Sequence, residues 1–138
     1  MIYLDSSALM KLVRQEGETP ALGAWLARRT DQEMVSSELA RVEVLGAARR
    51  VGGPAMAEAR AVVADLDLIR LDHAVQDIAC DIGDPALRTL DALHLASALL
   101  LAEELTAFVA YDHRLTDAAR AAGLTVATPG LDPESHQH

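Results

Sequence analysis

Cysteine is almost missing: Cys80 is the only one in 138 residues, so no disulfide can form within one copy of the chain. That usage suits a reducing compartment, and the expected location is cytoplasmic. A small, buried or half-buried side chain is the expected role of Cys80, rather than a reactive thiol. Long apolar runs are missing too. None approaches the roughly 20 residues that a bilayer-spanning helix needs, so no membrane segment is expected. The N-terminus shows neither a basic region nor a cleavage site, and the chain is expected to open directly on a core strand. Nor is there any excess of positive charge. A net charge of −9 argues against tight, indiscriminate binding of nucleic acid. It leaves nucleic acid open as a substrate, because bound cations and local patches invert a local field. Lysine is nearly absent, Lys11 being the only one.

About half of the residues are apolar, and glycine and proline usage is ordinary, so the chain has what a folded core requires. Its length fits one domain. Short apolar runs alternate with helical patterns. The strand-like pieces are "MIYLD", "EMVSS", "DLIRLD", "AFVAYD" and "LTVAT". Between them, "SSALMKLVRQEG" reads as a helix stopped by Gly17, and "TPALGAWLARRT" as one capped by Thr19 with Pro20 at its first position. "SELARVEVLGAARR", "GGPAMAEARAVVADL" (opened by Pro54), "HAVQDIACDIG", "RTLDALHLASALLLAEEL" and "HRLTDAARAAG" complete the helical set. This alternation predicts an α/β fold: a mostly parallel sheet of four to five strands with helices on both faces. Residues 1–128 are expected to form the single domain. Residues 129–138, marked by proline, glycine and charge, are expected to be a flexible tail.

Four carboxylates occupy places that call for comment. Ligands of open parallel sheets bind beyond the carboxyl ends of the strands, and Asp5 and Asp112 each end a strand there. Either one alone is explained as a turn former or as the cap of the next helix. The helices are more telling. Between Leu90 and Ala102 the only polar side chains are Asp91, His94 and Ser97, so this helix should be buried around most of its circumference. At about 100° per residue, Asp91 shares a side with Leu95, Ala98 and Ala102. A carboxylate there needs a cation or several donors, unless it caps the helix start, a task that Thr89 could perform. Glu43 repeats the pattern. It lies on the side of Leu39, Ala40 and Ala47, away from Glu38, Arg41 and Arg49, with Arg50 as a possible salt-bridge partner. Four acids converging on one sheet edge would not all ionise without a counter-charge. A hard divalent cation such as Mg²⁺ supplies it, and such a site can orient a phosphodiester and activate a water.

These pieces, in this order, resemble the PIN-domain ribonucleases, and specifically the VapC-type toxins of toxin–antitoxin pairs. The matching segments are "YLDSSALMKL", "SELARVEV", "TLDALHLASAL", and "FVAYDHRL" followed by "AARAAGLTV", which together cover about Met1 to Thr128. The resemblance implies that Asp5, Glu43, Asp91 and Asp112 are the four catalytic acids and hold Mg²⁺ or Mn²⁺. It implies that Ser7 hydrogen-bonds within the acidic cluster. The implied reaction is endonucleolytic cleavage of RNA by an activated water, leaving 5′-phosphate and 3′-hydroxyl ends. Implied substrates are tRNA or exposed ribosomal RNA loops, in line with the ease of reading unpaired RNA. The implied partners are a VapB-like antitoxin, often acting by placing an arginine in the acidic site, and a second copy in a homodimer.

Other groups are weighed against plainer roles. Asp117 is a candidate fifth acid or a solvated helix residue. His94, about 60° around its helix from Asp91, either approaches the site or is a hydrogen-bonded core histidine. His113 is expected to face solvent, and His136 and His138 to lack function. Lys11, Arg14, Arg41 and Arg88 are candidate phosphate contacts or ordinary surface charges. Trp25 is expected in the core or in a dimer interface. A phosphoaspartyl hydrolase of the haloacid-dehalogenase type would need an aspartate where Ser7 stands, and a response-regulator receiver a lysine after a late strand. The remaining alternative is a non-catalytic PIN-like module that binds RNA or protein.

Overall fold

Ile2, Tyr3 and Leu4 have no exposed surface, because β1 (Ile2–Leu4) is the middle strand of a five-stranded sheet. The structure, a computed structural model, describes residues 1–131. The other strands are β2 (Met34–Ser37), β3 (Asp67–Ile69), β4 (Ala107–Val109) and β5 (Val126–Ala127). All pair in parallel, in the order β3-β2-β1-β4-β5. Chain progression therefore runs outward from β1 in one direction through β2 and β3, then returns to β4 on the other side. The order reverses between β1 and β4, which is where an open α/β sheet leaves a crevice.

Crossovers between parallel strands are right-handed as a rule, so a chain that steps across the sheet first one way and then the other puts the helices of its two halves on opposite faces. One layer holds α1 (Ser6–Val13), α2 (Thr19–Ala27), α3 (Glu38–Val51) and α4 (Ala55–Ala64). Its core joins Ile2 and Leu4 to Leu9, Leu22, Val44 and Ala59. The other layer holds α5 (His73–Asp81), α6 (Thr89–Leu100) and α7 (His113–Ala121). There Tyr3 and Phe108 stack with ring centroids 5.2 Å apart, packed with Leu95, Ala98 and Leu115. The alternation of Ile2, Tyr3 and Leu4 between the two cores is the period of a strand buried on both faces.

Several expectations are corrected. The first helix ends at Val13 instead of reaching Gly17, since Arg14 is extended. Tertiary contacts turn the chain there: the Thr19 hydroxyl donates to the Lys11 carbonyl at 2.7 Å and accepts from the Glu16 N–H at 2.9 Å. Thr19 is thus inside α2 and not its cap, and Glu18 holds that position without a side-chain bond. The long sixth helix stops at Leu100, where tight turns lead the chain toward β4 and the N-terminal amine meets the Glu104 carbonyl. Cys80 is exposed, since it falls on the outer side of α5. Trp25 is half-buried against the first core, with the Arg29 guanidinium 3.9 Å from its ring centroid. Of the expected tail, Pro129 accepts the Tyr111 hydroxyl at 2.7 Å, while residues 132–138, with His136 and His138, lie outside the described residues. Among the described residues no helix is long and apolar enough to cross a membrane.

Candidate active site

Asp5 follows the central strand directly and starts α1. Its backbone N–H reaches across to the Val109 carbonyl of β4 at 3.1 Å, which fixes it at the reversal of strand order. Oδ1 accepts the Ala8 N–H at 2.9 Å and the Ser7 hydroxyl at 2.7 Å. Asp5 is therefore the N-cap of α1, as the plainer reading has it. Both of these bonds fall on Oδ1. Burial pushes the carboxyl up; His94, Ser7 and the Ala8 N–H pull it down, and Asp91 adds to the rise. Ser7 also accepts the Tyr111 N–H at 3.1 Å, so one hydroxyl ties Asp5 to the chain leaving β4.

Glu43 enters from the second turn of α3. Its Oε1 accepts the Ser6 hydroxyl and stands 2.8 Å from His94 Nε2, with no bond to Arg50. His94 is buried, and its Nδ1 lies 2.7 Å from the hydroxyl of wholly buried Tyr3. Burial, then the charge of Asp5, holds that phenol well above its ordinary range, so it remains a donor. A proton on Nε2 satisfies the whole chain: Tyr3 donates to Nδ1, and Nε2 donates to Glu43. Burial acts to raise the Glu43 carboxyl, but the bonds from His94 and Ser6 outweigh it and hold the group below its usual range.

Asp91 differs. It lies half-buried in the first turn of α6, whose N-cap position, Arg88, makes no side-chain capping bond. Asp91 is thus no cap. Burial raises its carboxyl, the neighbouring Asp112 raises it further, and His94 and Arg88 pull it back. Asp112 is exposed, three positions beyond Val109 at the end of β4, and caps α7 by accepting the Arg114 N–H at 2.8 Å. The four acids named from the sequence therefore share one electrostatic neighbourhood at the carboxyl edge of the sheet. Asp117 stands apart, exposed, with Arg120 Nη1 3.6 Å from its Oδ1. Lys11 is no phosphate ligand: it is buried, bound to Glu16 at 3.0 Å and Glu18 at 2.7 Å, and sits over the Tyr111 ring.

Sequence does not single out Ser6 and Tyr3 as site residues, and it leaves His94 between two roles that the structure combines. It is a hydrogen-bonded core histidine, and it also touches Glu43. The adjacent serines after Asp5 were the available signal, one hydroxyl serving each of two acids.

The donor set is oxygen-rich and anionic, which suits Mg²⁺ or Mn²⁺ over softer metals. Yet among the described residues no three His, Cys, Asp or Glu side chains are gathered closely enough to hold a metal ion as they stand. Glu43 is turned toward Ser6 and His94, and Asp112 toward its own helix. An ion bound by one or two carboxylates, with its other positions kept by water, fits such an open arrangement; Mg²⁺ commonly binds so.

A family model of the PIN domain matches residues 2–121. The chain belongs to the PIN-domain family. Within it, the chain is of the VapC type: it is 44% identical over 133 residues to Ribonuclease VapC47 of Mycobacterium tuberculosis (strain CDC 1551 / Oshkosh), covering 94% of this chain and 98% of the relative. Ribonuclease VapC46 of M. tuberculosis (strain ATCC 25618 / H37Rv) is 45% identical over 128 residues, with 93% and 97% covered. In fold, this PIN domain matches a chain of VapBC2 from Rickettsia felis, solved bound to a DNA fragment from their promoter, with a TM-score of 0.69 at 11% identity. That match covers 94% of this chain and 99% of the other. It matches FitAcB from Neisseria gonorrhoeae at the same TM-score of 0.69 and 20% identity, covering 96% and 100%.

Proposed function

We propose that this PIN domain is a metal-dependent endoribonuclease of the toxin type, cutting RNA phosphodiesters at Asp5, Glu43, Asp91 and Asp112. The observation that carries the proposal is the placement of buried Asp5 at the strand reversal, held through one oxygen by Ser7 and the Ala8 N–H, with Asp91 and Asp112 in the same neighbourhood. Asp5 is pushed up by burial, and Asp91 by burial and then by Asp112, a strain that a cation relieves. The names of the M. tuberculosis relatives support ribonuclease activity.

The four acids would hold Mg²⁺ or Mn²⁺ directly or through water. When bound, the ion neutralises the scissile phosphate and lowers the pKa of the attacking water. The residues of the chain have distinct tasks. Ser7 and the Ala8 N–H hold Asp5 by one oxygen and orient the other. Ser6 and His94 keep Glu43 ionised and fixed. Water oxygen bonds to phosphorus as the P–O3′ bond breaks, and the departing oxygen takes up a proton. The products are a 5′-phosphate and a 3′-hydroxyl. Unpaired RNA, in a tRNA or a ribosomal loop, is the proposed substrate. A VapB-like antitoxin is the proposed partner, supported by the VapBC and FitAB assemblies among the structural neighbours. Cytoplasmic location and a homodimer complete the reading.

The test uses purified chain freed of any antitoxin. It should cleave a structured RNA in Mg²⁺ or Mn²⁺, stop on addition of EDTA, and leave products that a 5′-phosphate-dependent exonuclease degrades. The spread of the acids favours a second reading, a PIN-like module that binds RNA or protein without cutting. Absence of cleavage and of Mn²⁺ binding by calorimetry would establish that reading in place of the first.

A further inference from the structure

The Ser6–Glu43 contact is the upper end of a seam between α1 and α3. Both helices start at the carboxyl edge of the sheet and run from it side by side. Met10 follows Ser6 by four residues along α1, and Arg14 is the extended residue that closes that helix; Ala47, then Arg50 and Val51, follow Glu43 along α3. These five residues line an open groove of about 470 Å³. At 1.5 Å per residue, Arg50 in α3 and Val13 at the end of α1, beside Arg14, stand about 10 Å along the helix axes from the Ser6–Glu43 contact. Among the described residues neither guanidinium has a carboxylate partner, whereas Lys11 and Arg120 do, and Arg29 lies on Trp25.

The charge of the chain is unevenly divided. Residues 1–64, which supply α1–α4, carry eight basic and eight acidic side chains; residues 65–131, which supply α5–α7, carry four and eleven. A polyanion reaching the acidic edge is repelled by the α5–α7 side and meets a balanced surface on the other. A second basic groove, lined by Arg41 and Arg60, lies where α3 meets α4 and does not continue the Ser6–Glu43 seam.

We propose that the α1–α3 groove is a phosphate-binding subsite for single-stranded RNA, with Arg14 and Arg50 each taking a backbone phosphate a few nucleotides from the scissile bond. The apolar floor of Met10, Ala47 and Val51 accepts the sugar and base faces between them. This rests on the ribonuclease reading for its substrate, and it names the path by which that substrate leaves the acids. Phosphate contacts position a strand without reading its sequence, so the subsite supplies affinity and register and not specificity.

The experiment measures binding of a fluorescein-labelled 20-nucleotide single-stranded RNA to the full chain carrying Asp5→Asn, with and without Arg14→Ala and Arg50→Ala, across a salt series. Loss of two phosphate contacts should weaken binding about tenfold and flatten the log–log salt slope by about 1.4. Arg14→Lys with Arg50→Lys should retain most of the slope, which a structural role for the guanidiniums would not explain. Unchanged affinity and slope in the alanine variant overturn the subsite. So does intact RNA binding combined with lost binding of a poly-glutamate peptide, which would assign the groove to an acidic protein segment. Cleavage by the unsubstituted chain is scored separately. If it cuts RNA and the slope does not change, the subsite alone fails; if it cuts nothing and the slope falls, the ribonuclease reading fails and the subsite stands.

Discussion

The helical layers on the two faces of the sheet each send one carboxylate to the same edge, and they treat it differently. The α1–α4 layer, with balanced charge, delivers Glu43 already bonded to Ser6 and His94, its carboxyl held below the ordinary range. The acidic α5–α7 layer delivers Asp91 with no cap to form and with Asp112 beside it, its carboxyl raised. One acid is stabilised as an anion by the protein; the ionised form of the other is disfavoured. A site that must bind a metal and also keep a fixed anion near it has use for both kinds. Asp5, between the layers, combines them: Oδ1 is satisfied by the fold, and burial raises the group as a whole.

The largest expected effect removes the shared charge. Asp5→Asn or Asp91→Asn should lower RNA cleavage in Mg²⁺ at least about 100-fold, measured on the unadducted chain with a labelled oligonucleotide. Asparagine caps a helix as well as aspartate does, so the Asp5 variant should keep its circular dichroism spectrum. Full activity in either variant would sink the four-acid mechanism. Next in size is the response to metal. Saturating Mn²⁺ at about 100 times its Kd should stabilise the chain by about 2.7 kcal/mol, seen as a higher melting temperature, and Asp91→Asn should lose most of that rise. An equal rise in the variant would mean that the ion binds elsewhere.

Thermal denaturation without metal should separate the two acids by sign. Glu43→Gln weakens charge-assisted bonds and should lower the melting temperature at pH 7, by about 1–2 kcal/mol of stability. Asp91→Asn and Asp5→Asn should raise it. The pH dependence follows from the directions of the shifts. A depressed carboxyl such as that of Glu43 contributes stability at neutral pH, and loses it as pH falls through the depressed value. A raised carboxyl such as that of Asp91 does the reverse: its contribution is complete below the ordinary carboxylate range and is lost as pH rises through the raised value. Both differences from the parent should therefore shrink on acidification, one from below and one from above. Matching signs at pH 7 would break the contrast between the layers. The smallest effect is expected of Asp117→Asn, where an exposed pair with Arg120 is lost; cleavage and melting temperature should stay within error.

The acids were legible in the sequence for reasons that are local. Glu43 and Asp91 interrupt apolar helix faces, and Asp5 and Asp112 close strands that are buried throughout, so one residue's neighbours along the chain suffice to make it conspicuous. The sheet was legible for the same reason, because "MIYL" and "AFVAY" lack the alternation of a strand with a wet face. The partners of the acids were not legible. His94 meets Glu43 across 51 positions of chain and Tyr3 across 91, and both contacts exist only once the two layers have closed on β1. Helix ends failed in the same way. The stop of α1 at Val13 depends on a hydroxyl, that of Thr19, whose local reading as a cap was reasonable and whose bond to the Lys11 carbonyl is tertiary. Lys11 itself reads as a basic rim residue until Glu16 and Glu18 fold back onto it.

The capping role of Asp5 has a consequence for inheritance. Aspartate and asparagine codons differ by a single base, and asparagine can take over the bonds that Oδ1 makes to the Ala8 N–H and the Ser7 hydroxyl. One transition mutation thus separates the proposed nuclease from a folded, inert copy with an unaltered outer surface. A lineage under pressure to disarm the protein would reach that state sooner than one that unfolds it. The inert copy would go on occupying the proposed antitoxin.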